Sequence, residues 1–166
     1  RYRQQDILRL IRKLREKIPG IALRTTMLVG FPGEKEDDVS QLSDFLRSER
    51  FDHVGVFSYA NEQGCPSEHY SAQVDEEEKQ ARVTSIAEVQ SRVSAELLAL
   101  KVGSVEPVLV EGVSRESDLL LEGRTRYQAP DVDGCVLINE GNASPGEILD
   151  VEITEAQIYD LVGRIV

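Results

Sequence analysis

The sequence predicts an α/β segment followed by an all-β one: the C-terminal part of a (βα) partial barrel, then a five-stranded β-barrel of oligomer-binding (OB-like) type. Three observations carry that reading. Helical and strand-like stretches alternate as far as Ala60 with short connections, as parallel βα units require. A long helical pattern follows. Beyond Val105 the texture changes to five short apolar runs separated by glycine, proline and acidic turns, the spacing of a small barrel. With 166 residues, 40% of them apolar, the chain is long enough to bury a core in one domain or two small ones.

The elements follow in order. In "DILRLIRKLREKI", Ile7, Leu10, Ile11, Leu14 and Ile18 share one helical stripe, and Pro19-Gly20 ends the helix. "IALRTTMLVG" is β-favourable and ends in glycine, and after the Gly-Phe-Pro-Gly turn Val39, Leu42, Phe45 and Leu46 mark a second helical face. "HVGVFSYA" is the next strand. These units are too few to close a barrel. After the polar loop "NEQGCPSEHYSAQ", a helix runs from about Asp75 to Lys101, with Val83, Ile86, Val89, Val93, Leu97 and Leu100 three or four apart; "DEEE" in its first turn suits the positive end of the helix dipole. Gly103 ends it. The five runs "VEPVLVEGV", "DLLLEG", "GCVLI", "ILDVEIT" and "IYDLVGRIV" are the barrel strands. The expected division is therefore residues 1–74 for the partial barrel, 75–102 for a connecting helix and 103–166 for the small barrel.

Charge narrows the partners. The chain carries a net charge of -11, which opposes association with a polyanion. Residues 101–166 hold five basic groups against thirteen acidic ones, a net -8, whereas residues 1–100 come to -3. A basic partner fits that asymmetry; a solvated acidic surface that keeps the protein in solution is the plainer alternative. No apolar run reaches a membrane span and no signal-peptide core follows the basic start, so the expected location is the cytoplasm, with no membrane partner. Cys65 and Cys135, 70 positions apart, have no metal-ligand spacing and read as two free thiols. His53 and His69 are isolated as well, so no metal site is expected.

The stretch "RTTMLVGFPGEKEDD" is the most informative. A strand ending in glycine before a tight turn and a helix lies at the C-terminal edge of a parallel sheet, where such folds bind ligands. Gly30 and Gly33 are three apart, with no third glycine and no Gly-Lys-Ser/Thr, and Glu34, Glu36, Asp37 and Asp38 crowd the helix start that a phosphate would need. A neutral or cationic ligand is compatible, because the glycines allow close backbone approach and Phe31 and Pro32 offer flat apolar faces to a purine-like ring. A simple strand-to-helix turn with an acidic helix start remains the alternative.

"ALRTTMLVGFPGE", followed by a helix and then "FDHVGVFSYANEQGCPS", resembles the later strands of radical S-adenosylmethionine (SAM) enzymes of the methylthiotransferase family, and the C-terminal part resembles the TRAM domain of those enzymes. "GRTRYQAPDVDGCVLI" and "YDLVGRIV" are more similar to the branch that modifies a ribosomal protein than to the branch that modifies transfer RNA. The resemblance implies that Arg24, Thr26, Gly30, Phe31, Pro32, Gly33 and Glu34 line the cofactor region, with Phe57 and Tyr59 as a second wall. It also implies a parent enzyme with two [4Fe-4S] clusters, one held by a Cys-x3-Cys-x2-Cys loop that leaves one iron open to the cofactor. No such loop occurs in these 166 residues. The chain thus looks like a C-terminal fragment, with a partial SAM site, no catalytic residue of its own and no activity alone. The implied reaction adds a methylthio group to an aspartate of the twelfth small-subunit ribosomal protein. Cys65, in "GCP", stands where this family commonly has threonine.

Ribosomal proteins are strongly basic, so an acidic barrel complements such a substrate through steering as much as affinity. Glu111, Glu116, Asp118, Glu122, Asp131 and Asp133, on or beside expected turns, are the candidate docking surface. RNA binding is not expected of a barrel with Tyr127 and Tyr159 but no tryptophan or phenylalanine. Two rival readings stand beside this one: a fragment of the transfer-RNA enzyme, and a non-catalytic protein-binding module. Glu62 and Glu68 are loop carboxylates that a general base could use, though such groups are usually only solvated. The edges of an incomplete sheet make self-association plausible.

Overall fold

The computed structural model describes residues 3–166. The chain divides into two compact units, residues 1–87 and 88–166, and the division falls inside a helix.

The first unit begins with α1 (Gln4–Lys17), β1 (Arg24–Val29), α2 (Glu36–Glu49) and β2 (His53–Ser58), followed by a short 3-10 turn (Pro66–His69). It also holds the first half of α3 (Glu76–Ala99). β1 and β2 pair in parallel, from Arg24 opposite His53 to Val29 opposite Ser58. Period-two alternation sends Thr25, Met27 and Val29 to one face and Arg24, Thr26 and Leu28 to the other. Val29 is fully buried whereas Leu28 is 52% exposed, so one face is covered and the other open. α2 starts where the Asp38 carboxylate accepts the Lys35 N–H at 2.9 Å, and it ends at Arg50 in the left-handed region (φ 48°). Arg15 of α1 donates to the main-chain carbonyls of Glu49 and Arg50, placing a cation at the negative end of α2.

The helical stripe read for α1 forms, but it is covered only in part. Ile11 is buried, but Ile7, Leu10 and Ile18 are between 44% and 55% exposed. Periodicity reports which residues share a face, and it does not report whether anything covers that face.

The second unit contains β3 (Val105–Val113), β4 (Leu121–Arg124), β5 (Val136–Glu140), β6 (Ile148–Ala156) and β7 (Leu161–Ile165). They close into a barrel in the order β3-β4-β5-β7-β6, antiparallel throughout except for the β5–β7 pair. Inward-facing Val108, Val110, Val136, Ile138, Val151, Ile153 and Leu161 form its core, and Leu98 from the last turns of α3 packs on it. Mostly branched aliphatics fill so small a barrel because they pack well on pleated strands. Gly163 is required by close strand approach: a Cβ there would lie 2.6 Å from the Glu152 carbonyl oxygen. Register shifts in β3, β5 and β6 bend the strands enough to close the sheet.

Candidate functional site

The Gly-Phe-Pro-Gly turn, Gly30 to Gly33, lies at the C-terminal end of β1. Gly30 has φ +78° and Gly33 φ +86°, conformations that favour glycine, and they reverse the chain within a few residues. The loop after β2 folds back onto this turn, where the Gly33 N–H donates to the Ala72 carbonyl at 2.9 Å. Phe31 meets Tyr59 edge-on at 5.1 Å between ring centroids and Tyr70 at 6.1 Å, yet stays 40% exposed. The three rings make an aromatic cluster in which Phe31 and Tyr70 remain accessible. Tyr59 itself is buried and its hydroxyl donates to Asn61.

Among the predicted residues, Arg24, Thr26 and Phe57 share the open sheet face with Leu28; in the parallel register Thr26 lies opposite Gly55 and Leu28 opposite Phe57. The Phe57 ring covers Gly55, where a Cβ would stand 3.2 Å from Cε2. Pro32 and Gly33 complete the turn. Glu34 has a different task from its neighbours. Its carboxylate accepts the Gly30 N–H at 2.8 Å and Arg82 from α3 at 2.8 Å, with the side chain only 15% exposed. It is a strut within the turn, and its charge is neutralised there. Glu36, Asp37 and Asp38 stay exposed in the first turn of α2.

Two residues of α3 were not singled out from sequence. Lys79 is 3% exposed, lays its alkyl stem across Gly30, pairs with Glu76 at 2.6 Å and places Nζ 5.5 Å from the centre of the Tyr59 ring. Arg82, 8% exposed, bonds Glu78 at 2.9 Å as well as Glu34. Burial opposes its charge, but the hydrogen bonds it donates to Glu34 and Glu78 outweigh burial and raise its pKa above the usual value. Lys79 and Arg82 are three apart on one helix face, and that spacing was the only available signal.

In the loop, Glu68 accepts the Gly64 N–H at 2.7 Å and so stabilises a turn, while Glu62 and His69 face solvent. Cys65 is exposed. Among the described residues no group of three or more His, Cys, Asp or Glu side chains could hold a metal ion. An iron-sulfur cluster therefore does not fit these residues.

The barrel carries a second feature, a groove of about 350 Å³ lined in part by Glu111, Glu122, Asp131, Asp133 and Asp160 with Arg115 and Arg124. Four of the six predicted acids meet there, and Glu116 and Asp118 lie in the β3–β4 connection. Glu111 pairs with Arg124 at 2.8 Å and Asp131 with Arg115 at 3.1 Å. Asp133 accepts the Ala129 N–H, and Asp160 accepts the Cys135 N–H, each at 2.7 Å. Burial first, then Asp160 and Glu122, pushes the Cys135 thiol from 9.0 up to about 12, so it stays protonated and unreactive at neutral pH.

No helix of the described residues is long and apolar enough to cross a membrane. Residues 102–166 match the TRAM domain family. The chain is similar to the ribosomal protein uS12 methylthiotransferase RimO of Desulfotalea psychrophila, 54% identical over 165 residues that cover 99% of this chain and 37% of that protein. It is similarly related to the RimO proteins of Geotalea uraniireducens (46% identical; 100% of this chain, 37% of that protein) and Citrifermentans bemidjiense (48%; 98% and 36%). The chain spans a little over a third of the length of these relatives. That identity is sustained through both compact units, so along its whole length the chain is similar to part of the RimO-type methylthiotransferases, with a TRAM domain at residues 102–166.

Proposed function

We propose that the chain is the C-terminal segment of a cytoplasmic methylthiotransferase, in which residues 1–74 complete a radical SAM barrel and residues 103–166 form a TRAM domain that docks the substrate. The substrate on this reading is the basic ribosomal protein uS12, the acceptor one of its aspartates. The observation that carries the reading is the open sheet face of Arg24, Thr26, Leu28 and Phe57, ending at the aromatic turn.

That surface suits one side of S-adenosylmethionine. The accessible part of Phe31 and the exposed Leu28 and Phe57 give an adenine apolar contact, and Arg82 offsets the charge of Glu34 within the turn. The cofactor, when bound and reduced by a cluster held outside this chain, supplies the radical chemistry. The residues here position and shield: the turn limits where an adenine ring can lie, and Leu28 and Phe57 on the open sheet face exclude water from it. With no cluster ligand among them, they are inactive alone. The coverage of the methylthiotransferase relatives across the whole chain supports an enzyme parent over a free-standing binding module.

The acidic groove supports the protein substrate. Its five carboxylates exceed its two guanidinium groups, so it attracts lysine or arginine side chains and repels phosphates. One observation favours the transfer-RNA alternative: Tyr127 has Lys101 Nζ 4.2 Å and Arg126 Cζ 4.7 Å from its ring centre, an aromatic and cationic pairing of the kind that binds nucleic acid. Titrating the parent enzyme with uS12 and, separately, with unmodified transfer RNA at low and moderate salt decides between them. Salt-sensitive binding of the protein alone supports the reading, and tight RNA binding replaces it.

A further inference from the structure

We infer that Arg82 is a positioning residue for the Gly30–Glu34 turn, holding the Glu34 carboxylate against the Gly30 N–H so that Phe31 stands at one fixed place on the ligand-facing side. The inference rests on the proposed reading of that turn as a cofactor wall.

The geometry triangulates the turn. One Arg82 nitrogen reaches both the Glu34 carboxylate at 2.8 Å and the Glu34 carbonyl oxygen at 3.2 Å, and the same carboxylate oxygen accepts the Gly30 N–H at 2.8 Å. Two ends of a five-residue turn are thereby tied to one guanidinium. The guanidinium is anchored in turn, because Glu78, four residues earlier on α3, holds its Nε at 2.9 Å. The Lys79 stem closes the other side so tightly that a Cβ on Gly30 would lie 2.5 Å from Lys79 Cγ. Between these supports, Phe31 is clasped edge-on by Tyr59 and Tyr70.

Stability is a weak explanation for such an arrangement. The side chains of Arg82 and Glu34 are 10% and 15% exposed, and an ion pair so far removed from water recovers little more than the cost of desolvating its members. What it does supply is a single geometry, since a bidentate or bridged guanidinium tolerates few alternatives. Glu78 faces Arg82 from its own helix and Glu34 from the turn, so lysine at position 82 would retain the charge while losing the simultaneous contacts.

The test uses the parent enzyme, with affinity for S-adenosylhomocysteine measured by calorimetry and melting temperature followed in parallel. Arg82→Gln and Glu34→Gln are each expected to weaken the ligand about ten-fold, the double variant no more than either, and Arg82→Lys to recover part of the loss. Glu34→Gln keeps an acceptor for the Gly30 N–H, so it reads the loss of the ion pair even where Arg82→Gln folds poorly. Affinity unchanged within two-fold in both variants while Phe31→Ala weakens binding overturns the role of Arg82 and leaves the cofactor wall standing. Phe31→Ala without effect overturns the wall, and the inference with it.

Discussion

The barrel of the second unit and the sheet of the first use strands of similar length and composition to opposite ends. Each barrel strand is paired on both sides and turns its apolar side chains inward, where Val108, Val110, Val136, Val151 and Ile153 are at most 1% exposed. β1 and β2 have only each other, and Leu28 and Phe57 stand 52% and 59% exposed. Parallel sheets occur almost only with both faces covered, and a two-stranded sheet is marginal by itself. Closure makes the barrel self-sufficient, whereas the sheet keeps a face that other groups must cover.

That contrast is most directly broken by separating the units. Residues 88–166 made alone are expected to unfold in one cooperative transition, and residues 1–87 made alone to show a broad one or none; circular dichroism in urea reads both. Equal cooperativity would remove the distinction. Next in size, Ile153→Ala in the barrel core should cost about 2–5 kcal/mol, while Phe57→Ser on the open sheet face should change stability by no more than about 0.5 kcal/mol. Denaturant titration of the whole chain measures the pair, and a large cost at Phe57 would mean that its face is already covered in solution.

Cysteine chemistry sharpens the comparison further. Exposed Cys65 should be alkylated by iodoacetamide at pH 8.5, and Cys135 should be spared until the barrel unfolds, as mass spectrometry of partly denatured samples would show. The sign of the pH effect follows. Cys135 keeps its proton in the fold up to about 12, whereas an ordinary thiol loses it near 9.0, so its contribution to stability is complete below the lower value and is lost as pH rises between the two. Rapid labelling of native Cys135 would contradict its protonated state. The smallest effect concerns the rim of the groove. Arg115 and Asp131 are 83% and 77% exposed, so Arg115→Ala should alter stability by less than about 0.5 kcal/mol by thermal melting, and a larger loss would show the pair to be part of a network.

Much of this organisation was legible in the residues. The five apolar runs after Val105 all became strands, and the first coincides with β3 from Val105 to Val113. Strands announce themselves because branched aliphatics at alternate positions and glycine turns act locally. The site was legible only in outline. Gly30 and Gly33 revealed a turn, but Glu34 read as one acid among four until its partner across 48 positions, Arg82, was in place. Nothing in α3 distinguishes Arg82 from an ordinary solvated helix residue except its spacing from Lys79. The acidic groove behaves alike: its members come from β3, β4 and the loops before β5 and β7, and no local pattern joins Glu111 to Asp133 or Asp160.

The sequence by itself determined the strands, helices and turns of this protein, the acidic balance of its C-terminal part and its resemblance to methylthiotransferases, because propensity, periodicity and charge are properties of neighbouring residues. Tertiary structure alone decided which apolar faces are covered, that a buried arginine holds Glu34 of a distant turn, and which thiol is silenced. Each of those depends on groups distant in the chain that meet in a low-dielectric interior, where one contact changes both the exposure and the charge state of a side chain.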